Sequence, residues 1–127
     1  MGINSDYISF EILKIAANSL NEKKAKEIEA VKIDKLTVLS EYFLICTATS
    51  STHVRALCDE VEDKLEESGL RPHHIEGRST GWIVLDYGSV IIHIFNRTER
   101  EFYALDKMWS DGEPVEISEI LTISQED

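Results

Sequence analysis

The sequence predicts an α/β fold in which helices pack on a single mixed β-sheet. The chain has 127 residues, of which 43% are hydrophobic, and this suits one globular domain with its own core. Two segments repeat apolar residues at helical spacing, and several shorter runs are rich in the β-branched and aromatic residues typical of strands. Their order is helix, strand, strand, helix, strand, strand, strand, which indicates a mixed sheet with packed helices.

The first half of the chain contains one helix and two strands by these criteria. Residues 6–23 carry an apolar helical stripe, formed by Leu13, Ala16, Ala17 and Leu20. Residues 28–34 alternate apolar and charged side chains, which indicates a strand near an edge of the sheet with one face in water. Residues 42–48 are almost continuously apolar, so we predict a central strand that is buried on both faces.

The second helix is predicted over residues 52–67, with Ser50 or Ser51 as its N-cap and Gly69 just beyond its end. Its predicted buried face consists of Val54, Leu57, Cys58, Val61 and Leu65. The preceding loop, T-A-T-S-S-T, lies where a helix N-terminus could bind phosphate. It contains none of the glycines that usually wrap a phosphate, so capping is its predicted role.

The rest of the chain is predicted to add a short strand at 73–76 and a hairpin that turns at Gly88. Thr98 is the predicted cap of a helix over residues 99–106. We predict one domain over residues 1–110 and an acidic C-terminal extension over residues 111–127. The extension is too apolar for a simple disordered tail, and a strand, a helix or a partner contact all stay open.

Charge and composition limit the partners. The formal net charge of −11 argues against direct nucleic-acid binding and suits a basic protein. No apolar run approaches the roughly 20 residues that cross a membrane, so we expect no membrane partner and a cytoplasmic protein. Cys46 and Cys58 lack the spacing of a metal site and are predicted to be buried and reduced. His73 and His74 are adjacent, so a strand points them to opposite faces and no metal site is predicted.

The predicted hairpin carries the strongest signs of a binding surface. Strand alternation places Trp82, Val84 and Asp86 on one face, and Ile83, Leu85 and Tyr87 on the other. Tryptophan and tyrosine are frequent hot spots of protein interfaces, although Trp82 could instead belong to the core. His93 lies between two isoleucines and is predicted to be a packed structural residue or a surface contact, because no nucleophile is recognisable nearby.

Three stretches of the sequence together resemble the ribosomal silencing factor family, also called Iojap-type proteins. They are WIVLDYGSVIIHIF followed by REFYALDKMW, SEYFLICTATSSTHVRALCDEV at 40–61, and GLRPHHIEG at 69–77. The resemblance covers roughly residues 7 to 110. It departs at Ser89, where the family usually has an acidic residue, and in the tail after Trp109.

The resemblance implies a nucleotidyltransferase-like fold and a function in translational repression. Such proteins bind the large ribosomal subunit through its L-fourteen protein and block joining of the small subunit, with no cofactor and no catalysis. A homodimer is a possible resting state. The family's contact surface maps onto Trp82, Asp86, Tyr87, Val90, His93, Phe95 and Tyr103 of this sequence.

Two other functions stay open beside this one. A nucleotide-handling enzyme on the same fold would need paired carboxylates, as D-x-[DE], on the strand after a Gly-Ser turn. The strand after Gly88-Ser89 reads VIIHIFN and has no acid, and Asp86 stands alone on the preceding strand, so we predict that the protein is not an enzyme. The other alternative is a homodimerising scaffold that applies the same aromatic face to a second copy.

Overall fold

The computed structural model describes residues 5–36, 40–77, 81–103 and 111–122. The helices are α1 (Ser5–Glu22), α2 (Ser51–Glu67) and α3 (Arg97–Tyr103), and a short 3-10 helix covers Ile117–Glu119. The strands are β1 (Lys26–Lys32), β2 (Tyr42–Ala48), β3 (His74–Glu76), β4 (Trp82–Asp86), β5 (Val90–Asn96) and β6 (Glu113–Val115). They form one sheet in the order β3-β4-β5-β2-β1-β6. The β2–β5 pair is parallel and the other pairs are antiparallel, which confirms the predicted mixed sheet.

Strand β2 is the centre of the sheet, as its continuous apolar sequence predicts. It pairs with β5 on one side and with β1 on the other, and six of its seven residues are buried. A strand covered on both faces has no place for polar alternation, which is why YFLICTA lacks charge.

Both long helices pack on the same face of the sheet. The buried face of α2 is the predicted one, and the side chain of Ser50 caps the helix by accepting the His53 amide at 3.0 Å. After its end, Gly69 takes a φ of 82°, a backbone conformation that favours glycine. The main core lies between these helices and the sheet, and it includes Leu13, Leu44, Leu57, Leu85 and Ile92.

The β4–β5 hairpin has the predicted turn. Gly88 adopts a φ of 85°, and its amide donates to Asp86 Oδ1 at 2.7 Å. The carbonyl of Ser89 accepts from the amides of both Glu41, at 2.8 Å, and Tyr42, at 3.0 Å. The turn is therefore bonded by its backbone to the start of β2.

The start of α3 differs from the prediction. The helix begins at Arg97, and Asn96 caps it by accepting the Glu99 amide at 2.8 Å through its side-chain oxygen. The predicted cap at Thr98 is therefore wrong, because the short acceptor that faces the first turn comes from the last residue of β5. The predicted extension of this helix to residue 106 lies outside the described residues.

The C-terminal segment forms part of the same sheet and core. Strand β6 pairs with β1, so β1 lies second from the edge, and Ile120 is only 5% exposed within the main core. The Asn18 carboxamide holds this segment from both sides, since its nitrogen donates to the Ile120 carbonyl at 3.0 Å and its oxygen accepts the Thr122 amide at 2.7 Å. The open question about the tail is thereby resolved for residues 111–122 as a strand followed by a 3-10 helix.

Candidate protein-binding face

The sheet face opposite α1 and α2 carries a row of four rings, which we call the aromatic face: Phe43, Trp82, His93 and Phe95. Trp82 stacks on Phe95 with ring centroids 5.0 Å apart, and Phe95 stacks on His93 at 6.0 Å. Phe43 meets His93 edge to face at 5.2 Å. The row crosses three strands, and Phe43 and Trp82 remain partly exposed while His93 and Phe95 are buried.

The histidine in this row is held in a neutral form. The indole nitrogen of Trp82 donates to His93 Nδ1 at 3.3 Å, which requires that Nδ1 carry no proton. Burial lowers the pKa of His93 from 6.5 to about 4, because the apolar surroundings disfavour the imidazolium. His93 is therefore a packed, hydrogen-bonded residue that orients Trp82. A packed structural residue is one of the two roles predicted for it.

Beside the row lies a groove of about 700 Å³, which we call the Asp86 groove. Its lining consists of Ile33, Ser40, Phe43, His73, Asp86, Gly88 and Ile91. Three of these side chains are apolar: Phe43 and Ile91 lie on the two central strands and Ile33 follows β1, whereas Asp86 and Gly88 lie at the β4–β5 turn. An apolar depression with few polar groups is the usual composition of a binding site.

Hydrogen bonds fix the polar rim of the Asp86 groove. Ser40 Oγ donates to the Gly88 carbonyl at 2.7 Å, and the His73 amide donates to the Asp86 carbonyl at 2.8 Å. Gly88 also lies so close to His73 that a Cβ at position 88 would be 3.0 Å from the imidazole Cε1. The rim is therefore set before any partner arrives, which lowers the entropic cost of binding.

A polar network closes the far end of the aromatic face, where α3 packs against β5 and β2. Arg100 is 8% exposed and donates to the Glu27 carbonyl at 3.0 Å and to Thr47 Oγ1 at 2.9 Å. Its guanidinium also pairs with Glu29 at 3.1 Å. The hydroxyl of Thr47 in turn donates to Glu27, and this bond, with the nearby charges of Arg97 and Arg100, holds the pKa of Glu27 below its usual range.

The structure brings together only some of the residues predicted to contact a partner. Trp82, Asp86 and His93 share the aromatic face, and Phe95 supports Trp82 from within it. Tyr87 and Val90 are buried in the core on the opposite face, and burial raises the pKa of the Tyr87 phenol. Direct partner contact by these two side chains has no support in this geometry, because alternation turns both of them toward the helices.

Tyr103 is the last residue of α3, and its side chain lies outside the described part of the chain. Sequence reasoning did not select Phe43, Ile91 or His73 as site residues. Alternation along β2 and β5 assigns a face to Phe43 and Ile91, but only the parallel β2–β5 pairing places those two residues side by side. His73 reaches the groove through the β3–β4 pairing, which no local pattern indicated.

A cluster of possible metal ligands lies on α2, on the opposite side of the sheet from the aromatic face. Ligand atoms of Cys58, Asp59 and Glu62 lie within 4.8 Å of one another. The Cys58 thiol donates to Glu62 Oε1 at 3.8 Å, and both cysteines are buried and reduced, as predicted. Carboxylates at this helical spacing are ordinary on a solvated surface, and the cluster carries no assignment.

No helix within the described ranges combines the length and the apolar composition needed to cross a membrane.

These features define an α/β protein with its two long helices on one side of a mixed sheet and, on the other, a partly exposed aromatic surface beside a groove that contains the Asp86 carboxylate. The family model described as "Ribosomal silencing factor during starvation" matches residues 8–127, and the chain belongs to this family. The match confirms the resemblance drawn from the sequence. It also extends over the tail, where the sequence alone suggested a departure.

Three relatives illustrate the similarity. The ribosomal silencing factor RsfS of Bacillus subtilis is 37% identical over 102 residues, covering 80% of this chain and 86% of that protein. The chloroplastic protein Iojap of Zea mays is 28% identical over 101 residues, covering 80% of this chain and 44% of that protein. A crystal structure from Bacillus halodurans superimposes with a TM-score of 0.75 at 31% identity, covering 84% of this chain and 98% of that one.

Proposed function

We propose that this protein represses translation by binding the large ribosomal subunit, through its L-fourteen protein, and blocking the small subunit from joining. Membership of the silencing factor family supports a role at the ribosome. The observation that carries the proposal is the aromatic face, which presents a partly exposed tryptophan beside a preformed groove. Blocking needs only a folded body that occupies the joining surface.

The chemistry of this face suits a protein partner. Trp82 rests on Phe95 and is hydrogen-bonded to His93, so it offers a large apolar surface without many rotamers to lose on binding. The net charge of −11 favours a basic partner, since opposite fields speed the encounter and exclude acidic competitors. Ribosomal proteins that contact RNA phosphates are basic for the same electrostatic reason.

We infer that the protein acts by binding and not by catalysis. Among the described residues, Asp86 is the one carboxylate that lines the groove, and its neighbour across the hairpin is Ile91, where a two-metal site would need a second acid. Nucleotide titration checks this inference, because a nucleotide-handling enzyme would bind a nucleoside triphosphate with magnesium at micromolar concentrations. We expect no saturable binding in that range.

The test of the main proposal compares Trp82→Ala with Phe10→Ala for binding to purified large subunits. Phe10 is a matched control, because it is 37% exposed but lies on α1, on the opposite side of the sheet. We expect Trp82→Ala to weaken binding about 30-fold, as the loss of a hot spot of about 2 kcal/mol requires, and Phe10→Ala to bind like wild type. Subunit joining is measured in parallel by sedimentation.

Circular dichroism must show that both variants are folded. Because Trp82 also packs on Phe95, an Ile91→Ala variant in the groove floor provides a second, smaller change on the same face. Equal binding by all variants would move the contact elsewhere on the molecule. Failure of the wild-type protein to bind cognate large subunits would overturn the proposed function.

We propose a cytoplasmic location, because the bacterial relatives carry the name of ribosomal factors. A homodimer that uses the aromatic face would hide the ribosomal contact, so self-association and repression would compete. Sedimentation of the free protein at several concentrations measures the self-association, and adding large subunits shows whether the two kinds of binding compete.

A further inference from the structure

We infer that the Asp86 groove accepts one cationic side chain with an aliphatic stem, a lysine or an arginine, from the basic protein partner. The inference rests on the proposed function, because it names the chemistry by which that partner is held. It assigns to Asp86 the role of charge anchor and to the groove floor the role of packing surface for the stem.

The floor of the groove supplies the apolar half of this site. Phe43 and Ile91 are neighbours across the parallel β2–β5 pair, and both are partly exposed. Ile33 belongs to the buried cluster beside Phe43 and extends the same surface. The methylene stem of a lysine or arginine buries well against such a surface while its charge remains at the polar rim.

The rim supplies the charged half. Within the part of the chain that the structure describes, Asp86 is the only Asp or Glu that lines the groove, and it is partly buried at the end of β4. The Gly88 amide uses one of its two carboxylate oxygens, Oδ1, and this bond fixes the orientation of the carboxylate. A cation that meets this carboxylate beside an apolar floor is less screened by water than one on an open surface.

Backbone bonds hold the rim in place before binding. Ser40 and His73 are bonded to the Gly88 and Asp86 carbonyls, and Ser89 is bonded to the start of β2. The carboxylate therefore does not have to be ordered when the cation arrives. This preorganisation favours one defined cationic side chain over a diffuse attraction to any positive surface.

Charge argues against a second copy of this chain as the occupant. Each copy carries a net charge of −11, so two copies of the chain repel each other as they approach. Two Asp86 grooves facing each other would bring together two carboxylates and, among the described lining residues, no lysine or arginine. A basic partner satisfies the same groove without this repulsion.

The experiment compares Asp86→Asn with Asp63→Asn for binding to purified large subunits at low and at moderate salt. Asn retains an oxygen that can accept the Gly88 amide, so the turn is preserved while the charge is removed. Asp63→Asn makes the same chemical change at an exposed position on α2. Both variants have the same net charge, which separates a local effect from a general one.

We expect Asp86→Asn to bind about 10- to 100-fold more weakly than wild type, the usual effect of losing a charge-assisted hydrogen bond. Its affinity should also depend less steeply on salt, because one ion pair is lost. Asp63→Asn should stay within about threefold of wild type, as expected for a screened surface charge.

Three outcomes would overturn the inference. Wild-type affinity in Asp86→Asn would leave the proposed function intact and remove the anchor. Equally weakened subunit binding by both variants would show that the loss comes from net charge and not from the groove. Unchanged subunit binding together with altered self-association of Asp86→Asn in sedimentation would assign the groove to a second copy. If wild-type protein does not bind large subunits at all, the proposed function itself fails, which is a distinguishable result.

Discussion

At the scale of single residues, the contact between Trp82 and His93 links the stability of the fold to the orientation of a partly exposed tryptophan ring. The imidazole accepts the indole N–H through Nδ1, so only the neutral ring can orient Trp82. Protonation of this nitrogen would remove the acceptor and place a charge among Phe43, Phe95 and the β2–β5 core. The orientation of Trp82, the partly exposed ring that we propose as an anchor, therefore depends on the protonation state of the buried His93.

This contact predicts that stability falls as the pH is lowered from about 6.5 toward about 4. The unfolded chain binds a proton at His93 with a pKa near 6.5, whereas burial lowers the pKa in the folded protein to about 4. Below about pH 6.5 the unfolded state binds the proton first, so protonation favours unfolding. Between about pH 7.5 and pH 5 we expect a loss of about 2 kcal/mol in the free energy of unfolding from this group.

Urea denaturation at both pH values measures the loss, with His93→Gln compared with His74→Gln. Glutamine does not titrate but still offers an acceptor to Trp82, so His93→Gln should flatten the pH dependence. His74 is an exposed residue paired with Glu76 at 2.7 Å, and its replacement should leave most of the wild-type pH dependence in place. Identical slopes in the two variants would contradict the assignment to His93.

Some single-residue properties followed from sequence and others did not. Alternation along WIVLD correctly separated Trp82 and Asp86 from Leu85, because a strand reverses side-chain direction at every residue. The same rule placed Tyr87 with Leu85, yet its aromatic character favoured it as a contact residue. Residue type suggests which side chains bind well, and only burial shows whether they can be reached.

At the scale of elements, the cap of α3 shows how a strand can start the next helix without a loop. Asn96 is the last residue of β5, its amide donates to the Gly81 carbonyl at 2.8 Å, and its side chain caps the helix. Its carboxamide also packs on Gly81, where an added Cβ would clash with Asn96 Nδ2. Asn96 therefore ends the strand pairing of β5, caps α3 and contacts Gly81, which directly precedes β4.

This geometry predicts unequal effects for Asn96→Ala and Thr98→Ala. Asn96→Ala leaves the Glu99 amide without its side-chain acceptor and should lower the free energy of unfolding by about 1 kcal/mol. Thr98 is exposed within the helix, so its replacement by alanine should change stability by less than about 0.5 kcal/mol. Thermal or urea unfolding of the two variants distinguishes them, and the reverse order would restore Thr98 as the cap.

The two long helices were the elements best predicted from sequence. Their apolar stripes repeat over several turns, and the Ser50 cap and Gly69 end match the observed bounds of α2. Strand β6 was the least predictable, because it has three residues, E-P-V, and acquires its hydrogen bonds only from β1, far away in the chain. Local pattern cannot specify an element whose stability comes from a distant partner.

At the scale of the whole molecule, the C-terminal segment completes the sheet. Strand β6 covers the outer edge of β1, Ile120 fills the core, and Asn18 fastens the segment to α1. An uncovered edge strand presents unpaired backbone groups that can pair with another chain. The segment therefore contributes to stability, and it makes a three-residue strand that contains Pro114 the edge of the sheet in place of β1.

We predict that ending the chain after residue 110 lowers the melting temperature and produces concentration-dependent self-association. Loss of Ile120 alone removes a buried side chain, which typically costs about 2 kcal/mol or more. A chain ended after residue 122 is the matched control, because it retains β6, Ile120 and the Asn18 contacts. Thermal melts and sedimentation at several concentrations measure both effects, and equal behaviour of the two shortened chains would contradict the prediction.

The sequence predicted the class of the sheet and most of its elements, but it did not show which residues come together to line the binding groove. The Asp86 groove takes its lining from β2, β4 and β5, from Ile33 after β1 and from His73 before β3. Phe43 and Ile91 meet because β2 and β5 run parallel in the middle of the sheet, and His73 reaches the groove through the β3–β4 pairing. Short-range patterns report the face of each strand, and the neighbours of a strand depend on the pairing of distant segments.

Ser89 contributes to the fold through its backbone and to the surface beside the groove through its side chain. The fold uses the carbonyl of Ser89, which accepts the Glu41 and Tyr42 amides, and any residue with an ordinary backbone supplies that group. Its side chain is partly exposed beside the groove turn, at the position where the family resemblance places an acid. A substitution at this position can therefore change the charge beside the groove without altering the scaffold.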